Sequence, residues 1–163
     1  MAASTEPVWV HRHVHEPNPA PPSADPAFTV KMPDGAETVV DPALLQTLPV
    51  THVADCWIVS TGHGKSGPFT FAGVRLGDLL AHLMPPNMAW QHVDVISADG
   101  FGARLFAAEI TDPTATRPIL LSTIINGAAM TRAQGLVRLI VPSEIDDALR
   151  QVKWVGHMEI YAE

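Results

Sequence analysis

Cysteine is nearly absent from this chain: Cys56 is the only one in 163 residues. That excludes an internal disulfide, a CxxC redox pair and a multi-thiolate zinc site, so whatever Cys56 does, it does as a lone thiol. Basic residues are also scarce, with 10 Lys and Arg against 17 Asp and Glu for a formal net charge of −7. Most of the surface would repel an extended phosphate backbone, and nucleic acid is not an expected partner. No apolar run reaches the roughly 18 residues that a membrane helix needs. Met1 to Pro7 shows neither a basic start followed by a hydrophobic stretch nor a twin-arginine pair, so the expected setting is cytoplasmic, with no membrane partner. Internal repeats are missing too.

What is present is a composition able to build a core, 47% hydrophobic and 17% charged, at a length that suits one domain. Prolines crowd the first fifth of the chain, from Pro7 to Pro33, so residues 1–33 read as a proline-rich extended arm and 34–163 as the domain. In the arm, Val8 to His15 alternates like a strand and puts His11, His13 and His15 on one side. Three imidazoles suit a metal only if a further ligand arrives, and without one at a telling spacing they read as a solvated arm.

Phe28–Met32 and Glu37–Val40, joined by Pro33-Asp34-Gly35, predict a hairpin. Asp41-Pro42 predicts an N-cap and first-turn proline for a short helix through Leu48. Val50–Ser60 reads as a strand carrying Asp55 and Cys56 into a glycine-rich loop, Gly62-His63-Gly64-Lys65-Ser66-Gly67-Pro68, a natural place for chemistry. Gly64-Lys65-Ser66 has the ending of a phosphate-binding loop, but Val59 stands where the motif demands glycine, which excludes a nucleotide site. Leu76, Leu79, Leu80 and Leu83 mark one buried face of a helix stopped by Pro85-Pro86. His92–Ser97 and Phe101–Phe106 flank Ala98-Asp99-Gly100 as a second hairpin. Ile119–Ile125, Leu136–Val141 and Gln151–Tyr161 supply further strands. The expectation is a mixed α+β domain, mostly sheet, with two or three short helices.

From about Leu44 onward the order of features resembles the molybdopterin-binding domain of the sulfite oxidase family. It is carried by Leu48-Pro49, a strand with one cysteine, Phe71-Ala72-Gly73-Val74-Arg75-Leu76 leading into Asp78-Leu79-Leu80, Ser97-Ala98-Asp99-Gly100-Phe101, Ile125-Asn126-Gly127, Gly135 to Pro142, and Val152-Lys153-Trp154. Each piece alone is common, whereas their shared order over roughly 115 residues is specific. The resemblance implies a compact mixed-sheet fold clasping a molybdenum–molybdopterin cofactor, with Cys56 as metal ligand beside the two dithiolene sulfurs; a soft thiolate suits such a metal. It implies a two-electron oxygen-atom transfer on a small oxo substrate, an electron-transfer partner, and basic contacts to the cofactor's phosphate from Arg138, Arg150 and Lys153, with His63 and Lys65 as further cofactor-binding candidates. Cys56, His63 and Asp99 are the catalytic candidates, and a homo-oligomer is compatible with the chain. The stretch from Ser143 to Leu149, with Asp146 and Asp147, departs from the family's glycine-containing loop.

That departure keeps two alternatives in view. One is a molybdenum-free enzyme that reuses the pterin cleft for acid–base or thiol chemistry on a small organic substrate, drawing on His52, Asp55, Cys56, His63 and Asp99. The other is a non-catalytic ligand-binding module of the same fold. For Cys56 itself, the plain counterpart is a buried structural thiol; for Asp99, a turn former.

Overall fold

Phe28–Lys31 (β1) and Glu37–Val40 (β2) form the expected antiparallel hairpin, in register Phe28 to Val40. In this computed structural model the described residues are 25–60, 64–98, 100–143 and 150–162, with the backbone alone at 59, 60, 64 and 65. Asp41 caps the next helix, Pro42–Leu45 (α1), its carboxylate accepting from the Leu44 N–H at 2.9 Å with Pro42 in the first turn. Val50–Ser60 (β3) then pairs antiparallel with Gly64–Arg75 (β4). The glycine-rich stretch is thus corrected from a loop to a strand over Gly64 to Pro68, because Ile58, Val59 and Ser60 supply ladder partners for Ser66, Lys65 and Gly64.

Leu76–Leu83 (α2) buries Leu76, Leu79 and Leu80 as the leucine spacing requires. His92–Ser97 (β5) and Gly102–Phe106 (β6) make the second hairpin. A one-turn helix, Ala107–Ile110 (α3), follows, with the Glu109 carboxylate accepting from the Phe106 N–H at 2.9 Å. Leu120–Ile125 (β7), Ala128–Ala129 (β8), Arg138–Ile140 (β9) and Val155–Tyr161 (β10) complete the chain.

The strands sort into two sheets. The first runs β2-β1-β10-β5-β6, with β1 parallel to β10 across 128 residues of chain; the second runs β3-β4-β7-β8, with β9 on β7. β1 lies inside the segment expected as an arm, yet Phe28 and Val30 are buried, so the folded unit begins no later than Phe28. Between the sheets lies the main core, to which Val93, Val95, Met158 and Ile160 contribute from the first and Val74, Leu121 and Leu139 from the second. The far face of the second sheet is also covered, by a smaller cluster of Val53, Cys56, Phe71, Leu120, Ile125, Met130 and Ile140. Burial on both faces is why Ile119–Ile125 is apolar except at Ser122 and Thr123 instead of alternating. Among the described residues no helix is long and apolar enough to cross a membrane.

Candidate functional site

Cys56 owes its orientation to a break in the β3 ladder. The register against β4 slips between Val53 and Cys56 and again between Cys56 and Ile58, and Asp55 sits in the left-handed region at φ 56°. Irregularities of this kind re-aim a side chain. Here they turn the thiol into the smaller cluster, leaving Cys56 3% exposed. Its sulfur donates to the Val53 carbonyl at 3.4 Å, and the Ala54 carbonyl lies 3.7 Å away. Burial pushes the thiol pKa up; the neighbouring Arg117 guanidinium pulls in the opposite direction without prevailing.

A second group gathers around β9. Arg138 shares the face of its strand with Ile140, a member of the cluster around Cys56. Its guanidinium is buried, donating from Nη1 to the Gln134 carbonyl at 3.4 Å and from Nη2 to Gln151 Oε1 at 3.2 Å, while Nε has no hydrogen-bond partner among the described residues. Among the described residues no carboxylate bonds to it, and burial pushes its pKa down to about 10. Lys153 lies close enough for burial and then the Arg138 charge to lower its own pKa. Gly135, at φ +115°, packs against the lysine stem, and Trp154 packs 5.3 Å from its ammonium while donating from Nε1 to the Arg132 carbonyl at 2.6 Å. Gln151 ties the two groups together, because its amide nitrogen donates to the Trp57 carbonyl at 2.9 Å while its oxygen accepts from Arg138. One side chain therefore spans from the residue after Cys56 to the buried cation pair.

The structure thus brings Cys56, Arg138 and Lys153 into one connected region and leaves Arg150 out of it. Arg150 directs its fork at Glu109, at 2.8 and 2.6 Å, and also donates to the Arg104 carbonyl at 3.1 Å. A carboxylate therefore meets the charge on Arg150. His63 and Asp99, the Lys65 side chain, Asp146, Asp147 and the histidines of the arm lie outside the described residues. His52 and Asp55 are exposed, and among the described residues no hydrogen bond joins either side chain to the thiol. No trio of His, Cys, Asp or Glu is grouped to hold a metal among the described residues.

Sequence reasoning passed over Arg117, Gln151 and Gln134. Arg117 precedes Pro118 at the mouth of the apolar strand β7, a position that the pattern reads only as a polar boundary. It also helps line a cavity of about 600 Å³, with Arg75, Asp78, Asp112 and Ser143 among the other walls.

Among the described residues one mixed sheet, one antiparallel sheet and three short helices make an α+β domain of the sulfite-oxidase type. The crystal structure of the sulfane dehydrogenase SoxCD from Paracoccus pantotrophus superimposes with a TM-score of 0.59 at 20% identity, over 84% of this chain and 38% of that one. The chain therefore spans less than half of that protein's length. No curated protein matches it. Over residues 47–163 it matches the oxidoreductase molybdopterin binding domain, and it belongs to that family.

Proposed function

We propose that the domain holds a molybdenum–molybdopterin cofactor and uses it for two-electron oxygen-atom transfer on a small oxo substrate, with Cys56 as the protein's ligand to the metal. One observation carries this reading: a buried guanidinium that has, among the described residues, no carboxylate partner and one orphaned donor, with an ammonium beside it. Leaving a charge in that condition costs several kcal/mol unless an anion arrives. A phosphate end fits this arrangement, since Arg138 Nε and the Lys153 ammonium are both donors and the planar guanidinium suits oxyanions.

When bound, the cofactor would supply the two-electron redox chemistry and the site at which oxygen is exchanged. The residues of this chain hold and insulate it. Arg138 and Lys153 neutralise the anionic end; Gln151 sets the distance between that end and the Cys56 corner. Cys56 must release its proton to become a soft anionic donor. Burial holds that proton on Sγ in the empty domain, and the Arg117 charge favours its loss. The burial of Cys56 also favours a second reading, in which the cation pair binds an anionic ligand and the sulfur only packs.

Molybdenum and pterin analysis of the chain expressed with molybdate separates the two. About one molybdenum per chain is expected, lost in Cys56→Ala, with both metal and pterin lost in Arg138→Met. Pterin without dependence on Cys56 would favour the second reading, and a wild-type chain lacking both would overturn the first.

A further inference from the structure

Arg117 uses its whole guanidinium on the corner that carries the sulfur. Nε donates to the Pro142 carbonyl at 3.1 Å, Nη1 to the Ala54 carbonyl at 2.9 Å, and Nη2 to the Asp55 carbonyl at 3.1 Å, with Cys56 Sγ 3.7 Å from the same nitrogen. Ala54 and Asp55 are the two residues that the first slip, between Val53 and Cys56, withdraws from pairing with β4. Their carbonyls would otherwise be left without a ladder donor, at a cost of about 1–3 kcal/mol for a buried group and less where water reaches it. Arg117 is half-buried and also lines the 600 Å³ cavity, so it stands between that cavity and the thiol.

We infer that Arg117 is a positioning residue: it straps the Ala54–Asp55 corner to the end of β9 and so sets the direction in which the Cys56 sulfur points. This inference rests on the proposed role of Cys56 as a metal ligand. Among the described residues only the Cys56 thiol shares one of these carbonyls, 3.7 Å from that of Ala54, and three fixed hydrogen bonds to backbone leave the planar fork little freedom to follow a moving sulfur. Lysine can restore the charge and at most part of the hydrogen bonding; methionine can restore neither.

The test uses the full chain as wild type, Arg117→Lys and Arg117→Met. Because there is one cysteine, labelling cysteine with carbon-13 gives a single Cβ resonance that reports the sulfur's rotamer in the metal-free protein. The resonance is expected to shift or split in Arg117→Met and to return toward the wild-type position in Arg117→Lys. In protein loaded with molybdenum, the thiolate-to-metal absorption band should shift or lose most of its intensity in Arg117→Met while pterin content stays at the wild-type level. A methionine variant whose resonance and band coincide with wild type overturns the inference. Should Arg117→Met not fold, a lysine variant whose resonance and band both coincide with wild type would do the same, since lysine cannot make all three backbone bonds. A wild-type chain without molybdenum would overturn the functional reading instead, and the resonance of the metal-free protein still decides whether Arg117 orients the sulfur.

Discussion

Replacing Arg138 with methionine removes a buried charge and keeps most of the side chain's volume. Burial that lowers the Arg138 guanidinium from its ordinary value to about 10 corresponds to roughly 3 kcal/mol that the cofactor-free domain bears at neutral pH to keep Arg138 charged. Against this, the variant gives up hydrogen bonds to the Gln134 carbonyl and Gln151 Oε1, worth about 1 kcal/mol each. The cofactor-free variant should therefore match wild type or exceed it by up to about 2 kcal/mol, a rise in Tm of about 4–8 °C at most for a chain of this length. The penalty also has a pH signature. Above pH about 10, until the unfolded chain itself titrates at the higher ordinary guanidinium value, the unfolded chain holds the Arg138 proton that the folded domain has released; stability from this group rises with pH across that window, and methionine abolishes the rise. Calorimetric melts with and without inorganic phosphate supply the assay. At a hundredfold excess over its dissociation constant a ligand adds about 2.7 kcal/mol, and the wild type should show such a rise while Arg138→Met shows none. A variant destabilised by more than about 3 kcal/mol that still responds to phosphate would refute this reasoning and make Arg138 a structural residue.

Glu109 is held below the usual carboxylate range: burial pushes it up, but the Arg150 fork and the Phe106 N–H outweigh that. Its contribution is thus full above the unfolded carboxyl pKa and disappears as pH falls through the lower folded value. Glu109→Gln should cost about 1 kcal/mol at pH 7 and flatten the acid side of a denaturation profile; parallel wild-type and variant profiles below pH 5 would count against the pair. A side chain on Gly73 would overlap the backbone of Leu121 and Ser122 on the neighbouring strand. Gly73→Ala should accordingly lose about 3 kcal/mol or more by chemical denaturation, and a loss within experimental error would show that β4 and β7 can separate freely.

Local signals were legible where local chemistry decides. Pro33-Asp34-Gly35 between alternating runs announced the β1–β2 hairpin, and the leucine spacing announced α2, because turn geometry and helix periodicity are written within a few residues. Pairing over long distance was not: nothing local in Phe28–Lys31 names β10 as its parallel neighbour. The stretch from Gly64 to Pro68 was misleading because glycine content signals a loop only until a partner strand supplies hydrogen bonds. Arg138 and Arg150 look alike in sequence, twelve positions apart, and only the fold shows that Glu109 neutralises Arg150 while Arg138 is buried with no carboxylate bonded to it among the described residues. Arg117 was invisible for a different reason. It acts on main-chain carbonyls, which carry no sequence signature, at a corner defined by a ladder break that no pattern in Val50–Ser60 reveals. The lone cysteine was legible as a candidate, and its burial beneath Arg117 was not.

The central claim is that the Cys56 sulfur meets molybdenum in a domain whose cation pair anchors the cofactor. X-ray absorption at the molybdenum edge counts the sulfur atoms around the metal directly. Wild-type chain is expected to show one sulfur neighbour more than Cys56→Ser at equal pterin content. An identical count in the two proteins, or no molybdenum in either, would contradict it.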